Sequence, residues 1–172
     1  MGSSKISSLK STLGFGARAN KYRVIINSVG GGPVGPIVDT LTKSASIPGR
    51  SFNEVEIWNQ GRLTVVAGDA DFSGTWNVTF MDTEDHTMRG KFIDWMEFID
   101  SVKDHARGAA DHSSYMTTAE LHQLSTVDNA SMAVYKFEDL WPKSISDTTM
   151  SDDSSDLIEF SVEFNFTFWS KE

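Results

Sequence analysis

Between Thr75 and Met81 the apolar residues Trp76, Val78 and Phe80 alternate with Thr75, Asn77 and Thr79, the period of two that marks a strand with one face in a core. The period then lengthens. Met88, Phe92, Trp95, Ile99 and Val102 recur at steps of four, three, four and three, with Arg89, Lys91, Asp94, Glu97 and Asp100 largely elsewhere. This predicts an amphipathic helix whose core face is those five residues. Asp82, Thr83, Glu84 and Asp85 stand between strand and helix, supplying side-chain oxygens for orphan N–H groups and negative charge for the positive end of the helix dipole. The most regular alternation is C-terminal: Ile158, Phe160, Val162, Phe164, Phe166 and Phe168 against Glu159, Ser161, Glu163, Asn165 and Thr167. One long strand over residues 157–169 is predicted, its apolar face in the core and its polar face toward water or a polar partner.

Shorter signals fill the remainder. Strands are expected over residues 22–27, 37–46 and 131–137, the last followed by a buried corner at Leu140-Trp141-Pro142. A further strand over 145–150 joins the last one through the polar turn 151–156. Phe52 to Trp58 and Arg62 to Val66 flank Asn59-Gln60-Gly61, a short Gly-containing connection that reads as a hairpin. Residues 103–130 are weakly patterned and read as a surface excursion with a short helix near 117–124. Residues 1–20, rich in Gly, Ser and Lys, read as a flexible N-terminal arm in which Ile6, Leu9 and Leu13 are spaced for a turn or two of helix on contact with something else. Residues 21–172 then form a single domain, as a chain of 172 residues permits. The expected class is mainly β with one flanking α-helix.

Charge changes this picture more than composition does. The net charge of −9 conceals +5 over residues 1–62 and −14 over residues 63–172. An acidic body argues against tight nucleic-acid binding, which needs clustered Lys and Arg, yet suits a surface past which nucleic acid must slide. Ordinary solubility accounts for the same count. The zero cysteines remove disulfides, thiolate chemistry and cysteine zinc sites together. No apolar run of membrane-spanning length and no secretory leader is evident, so folding in a cytoplasm without a membrane span is expected.

Chemistry-bearing motifs are weak. The glycines of Ser28 to Pro36 lack the Gly-Lys-Ser/Thr ending of a phosphate loop. Asp69, Asp71, Ser73 and Gly74 imitate the start of a calcium loop, but its twelfth position is Phe80, which cannot ligate. His86 sits among carboxylates that the helix dipole already favours. His105, His112 and His122 form no His-x-x-x-His pair, and no Ser lies in a Gly-x-Ser-x-Gly elbow. Neither a catalytic residue nor a metal or cofactor site is expected.

Val66-Ala67-Gly68 leading to Trp76-Asn77-Val78-Thr79, then Lys91-Phe92-Ile93-Asp94-Trp95 and Leu140-Trp141-Pro142 before the closing hairpin, resemble the tail tube proteins of contractile-tailed, myovirus-type bacteriophages. Gly16-Ala17-Arg18-Ala19-Asn20 before the first strand fits too. The resemblance covers residues 20–169 and implies a β-barrel or sandwich whose hexameric rings stack into a hollow tube. That tube would lie inside a tail sheath protein, start on a baseplate tube initiator, enclose a tape-measure protein during assembly in the host cytoplasm, and conduct viral DNA without specific binding. The alternatives are a tube subunit of type VI secretion or another contractile-injection system, or the initiator itself. On this reading Glu159, Ser161, Glu163, Asn165 and Thr167 line the lumen, unless that face simply meets outer solvent. Phe52, Glu54, Glu56, Trp58 and Arg62 are expected at the contact between rings, with the basic first third and acidic remainder as opposite axial faces.

Overall fold

The computed structural model describes residues 3–14, 16–30, 35–38, 41–71, 74–101, 108–151 and 156–172. Strands dominate it. In chain order the elements are α1 (Ser3–Leu13), β1 (Tyr22–Ile26), β2 (Ile37–Val38), β3 (Thr42–Ala45), β4 (Ser51–Asn59), β5 (Arg62–Asp71), β6 (Gly74–Met81), α2 (Thr87–Ile99), α3 (His112–Tyr115), β7 (Thr117–Leu124), β8 (Ser131–Ile145), β9 (Glu159–Phe166) and β10 (Phe168–Lys171). Eight strands make one antiparallel sheet in the order β2-β1-β7-β8-β9-β6-β3, with β10 also on β8, while β4 and β5 form a separate two-stranded sheet.

The long strand β8 folds the sheet over itself. Its first part, up to Leu140, pairs with β7 and β10 and its last residues, from Trp141, pair with β9; Asp139, in a left-handed conformation (φ 56°), sits at the register shift just before this change of partner. The two halves of the sheet therefore face each other as a sandwich. Val24, Ile26, Ala119, Leu121 and Phe137 line the core from one side, and Trp76, Val78, Phe80, Phe160, Val162 and Phe164 from the other. Trp76 stacks on Phe137 across that core with ring centroids 4.3 Å apart. The helix α2 seals the side: Phe92 packs on Phe80, Phe160 and Phe164 at 5.0 to 5.9 Å, and Trp95 lies 6.2 Å from Phe164. Each such aromatic removed from water stabilises the fold by about 1.5–3 kcal/mol. The indole N–H groups stay satisfied, Trp76 donating to Ser46 O at 2.7 Å and Trp95 to Tyr115 O at 2.9 Å.

The expected helix face holds at Met88, Phe92 and Trp95, all buried, and at Ile99, which packs against the core; Val102 lies outside the described residues. Four expectations need correction. Residues 117–124 form strand β7, not a helix, because Thr117, Ala119 and Leu121 alternate inward and both neighbours offer ladders; tertiary pairing overrides the weak local pattern. The single strand expected over 37–46 is replaced by two, Ile37–Val38 on β1 and Thr42–Ala45 on β6; residues 39 and 40 lie outside the described residues. Beyond Ile145 the chain is not a strand, since β8 itself, continuous from Ser131, supplies the partner for β9. The last strand breaks at Thr167: β9 ends at Phe166 and β10 leaves for β8, so Phe168 is exposed, not in the core. Among the described residues no helix is long and apolar enough to cross a membrane.

Candidate functional site

Every residue of β4, and β5 as far as Ala67, is exposed. The hairpin pairs Glu54 with Ala67, Glu56 with Val65 and Trp58 with Leu63, whereas Val55 faces Val66, Ile57 faces Thr64 and Asn59 faces Arg62. Directly opposed residues share a face, so one face carries Glu54, Glu56, Trp58, Leu63 and Val65, and the other Val55, Ile57, Val66 and Arg62. Of the five residues expected at a ring contact, Phe52, Glu54, Glu56 and Trp58 follow one alternation and Arg62 lies on the reverse face. The ladder is interrupted between Phe52 and Glu54. There a Cβ on Gly68 would sit 2.9 Å from Val55 Cγ2 and 3.0 Å from Asn53 O, so the irregular pairing needs a residue without a side chain. A two-stranded ribbon with apolar groups on both faces is marginal alone in water.

The polar face of β9 lies beside β6, with Asn165 opposite Thr75, Glu163 opposite Asn77, Ser161 opposite Thr79 and Glu159 opposite Met81. Hydroxyl and amide groups dominate it, Thr79 and Ser161 being hydrogen-bonded at 3.0 Å. Its two carboxylates are both paired. Lys43 on β3 donates to Glu159, and Lys143 on β8 donates to Glu163 at 3.0 Å, with Ser144 Oγ adding a bond at 3.2 Å. The Lys143 ammonium holds the Glu163 carboxyl below its ordinary range. Thr167 stands at the strand break, its N–H donating to Glu138 O at 3.1 Å, and is not part of this face. Nothing in the local pattern around Lys43 or Lys143 signals these partnerships, since they arise from strands distant in sequence.

The helix entrance is built by Asp82. Its carboxylate accepts the Thr83 N–H at 3.0 Å and the Arg89 N–H at 3.3 Å, and faces His86 Nδ1 at 2.6 Å. His86, in a left-handed conformation (φ 51°) immediately before the helix, is thus a structural partner of Asp82. Arg89, off the core face of the helix, donates to Ser146 O at 3.0 Å and Thr148 Oγ1 at 2.9 Å, tying the segment after β8 to α2. His122 lies between Glu120 (2.9 Å) and Ser131 (2.9 Å); His112 meets the Tyr115 hydroxyl at 2.9 Å. His105 and Ser73 lie outside the described residues. Among the described residues no group of three His, Asp or Glu side chains could hold a metal ion.

Fold and surfaces together define a mainly β protein with one flanking helix and a solvent-exposed ribbon. Residues 17–172 match the family described as phage tail tube protein, and the chain belongs to that family. It is 25% identical over 154 residues to tail tube protein gp19 of Enterobacteria phage T4, covering 89% of this chain and 90% of that one. The corresponding protein of Enterobacteria phage T6 is 24% identical over the same length. In fold it is similar to a chain of the sheath-tube complex of the extracellular contractile injection system PVC in the extended state, at 10% identity, a TM-score of 0.68 and 96% coverage of both chains. The chain is therefore a structural virion protein of a contractile, myovirus-type phage tail.

Proposed function

We propose that six copies close into a ring and that the rings stack into the hollow tube inside the contractile sheath, through which viral DNA leaves for the host. The observation that carries this reading is the hairpin of β4 and β5, whose apolar residues on both faces have no cover within the subunit. A second feature supports lateral closure. Among the described residues β3 pairs only with β6, and β8 beyond Leu140 only with β9, so this four-stranded half presents an open edge at each end there. Edges that would be liabilities in a monomer become contacts when the edge of one copy meets the opposite edge of the next. A baseplate tube initiator nucleates the stack in the host cytoplasm, the tape-measure protein fills it during assembly, and no catalytic step is required.

Within this tube the polar face of β9 and β6 lines the lumen. Its pairing changes the expected mechanism. Glu159 and Glu163 are balanced by Lys43 and Lys143, so the face presents hydroxyls, amides and neutralised charge in place of an acidic wall. Such a surface gives DNA phosphates little to bind and little to be repelled by. Replacing both glutamates by lysine leaves four ammonium groups on it and should retard ejection from intact tubes, more so at low salt; unchanged ejection removes the lumen assignment. The assembly itself is tested by negative-stain electron microscopy of concentrated full-length protein with a preformed baseplate as seed. Hollow rings or tubes are expected, and a chain that neither self-associates nor extends the seed counts against the reading.

A further inference from the structure

A second uncovered surface lies on the segment that precedes the family match, and it complements the hairpin. The helix α1 leaves Ile6, Leu9 and Leu13 57%, 61% and 61% exposed. At 100° per residue these three form one stripe, with Lys5 on one flank, Lys10 on the other, and Ser7, Ser8 and Ser11 opposite. The stripe ends in a cleft of about 300 Å³ lined by Leu13, Leu124, Val127 and Met132 at the turn between β7 and β8. Residues 1–13 hold two lysines and no acid. A helix of 11 residues is marginal on its own in water, as is the hairpin.

We propose that the hairpin of one copy lies along α1 of a second copy, with Trp58 in the cleft beside Leu13 and with Glu56 and Glu54 reaching Lys10 and Lys5. The inference rests on the self-assembly reading above and names the surface that receives the hairpin. Charge and spacing both support it. The face of Trp58, Leu63 and Val65 is the one that carries Glu54 and Glu56. No ion pair to either glutamate or either lysine is found among the described residues. From Trp58 back to Glu54 is about 13 Å at a strand rise of 3.3 Å, and from Leu13 back to Lys5 is about 12 Å at a helix rise of 1.5 Å. An apolar stripe between lysines therefore meets an apolar stripe with glutamates at matching intervals. The contact is heterologous, one patch against a different one, which is the kind that propagates from copy to copy.

The absence of cysteine makes the test clean. Full-length chains carrying Leu9→Cys and Val65→Cys are mixed, assembled and treated with a short bismaleimide. Crosslinked dimers are expected from the mixture and from neither variant alone. Separately, Lys5→Glu with Lys10→Glu, or Glu54→Lys with Glu56→Lys, should each lower the assembled fraction several-fold in sedimentation, and combining all four changes should restore it. Circular dichroism confirms that each variant folds. Absence of the mixed dimer, in tubes and in concentrated solution alike, overturns the docking, and tubes that form all the same leave the tube reading intact. A mixed dimer without tubes supports the docking and weakens the tube reading. Crosslinking of α1 to sheath protein alone, or binding of α1 to anionic vesicles while tubes are indifferent to Ile6→Asp, also overturns it.

Discussion

Two antiparallel pairs of similar length sit in this chain under opposite physical regimes. β6 and β9 run together over eight positions and bury Trp76, Val78, Phe80, Phe160, Val162, Phe164 and Phe166. β4 and β5 also run together over eight paired positions and bury none, with Trp58 67% exposed. Each pair makes eight ladder positions, the hairpin with one irregularity between Phe52 and Glu54, so the extent of pairing is not what separates core from appendage. The difference lies in where the apolar groups fall. In β6 and β9 they occupy one face and the polar groups the other, which fits one core and one wet surface. In the hairpin they occupy both faces, which no single domain can cover and which a neighbouring copy can.

The comparison breaks first in the core. Trp76→Ala removes a fully buried indole stacked on Phe137 and leaves a cavity between the two sheet halves, so a loss of about 3–5 kcal/mol is expected in denaturant unfolding of the subunit. A loss below about 1 kcal/mol would mean that the halves collapse onto each other without it. Next comes the junction of sheet and helix. Asp82, whose side chain is fully buried, satisfies two N–H groups and His86, so Asp82→Ala should cost about 1–3 kcal/mol by orphaning them. In the hairpin, Trp58→Ala should alter unfolding of the isolated subunit by no more than about 0.5 kcal/mol while sharply reducing assembly in sedimentation. A hairpin variant that destabilises the subunit as much as Trp76→Ala would erase the distinction between the two pairs.

The same contrast governs what could be read from sequence. Alternation at 75–81 and 158–166 and the four-three spacing at 88–99 place the core correctly because each pattern reflects one-sided burial. The strand at 117–124 is obscured because Ala119 is small and Thr117 polar, so their inward alternation carries little hydrophobic contrast; its ladders with β1 and β8 decide the matter. The departure of β10 is hidden for another reason: Phe168 continues the period of two although the chain bends at Thr167, and periodicity cannot register a change of partner. On the surfaces, the hairpin is legible from Asn59-Gln60-Gly61 between apolar runs. The neutralising lysines of the β9 face are not legible, since Lys43 and Lys143 reach it from other strands.

The smallest effect expected concerns an exposed carboxylate in the loop between β6 and α2. Asp85 accepts the Thr83 hydroxyl at 2.6 Å and the Thr87 N–H at 3.3 Å, and these bonds, the Thr83 hydroxyl first, lower its pKa from 3.8 to about 2. A carboxyl whose folded pKa is depressed binds its proton less readily than in the unfolded chain, so it contributes stability above the ordinary value and loses it as pH falls through the folded one. Asp85→Asn should therefore be slightly less stable than the parent at neutral pH. The difference should shrink from about pH 4 downward and vanish only below about pH 2, once both states bind the proton. A difference that persists undiminished well below pH 2 would mean that Asp85 acts through shape alone, and that the helix entrance, unlike the hairpin, is held by packing and not by charge.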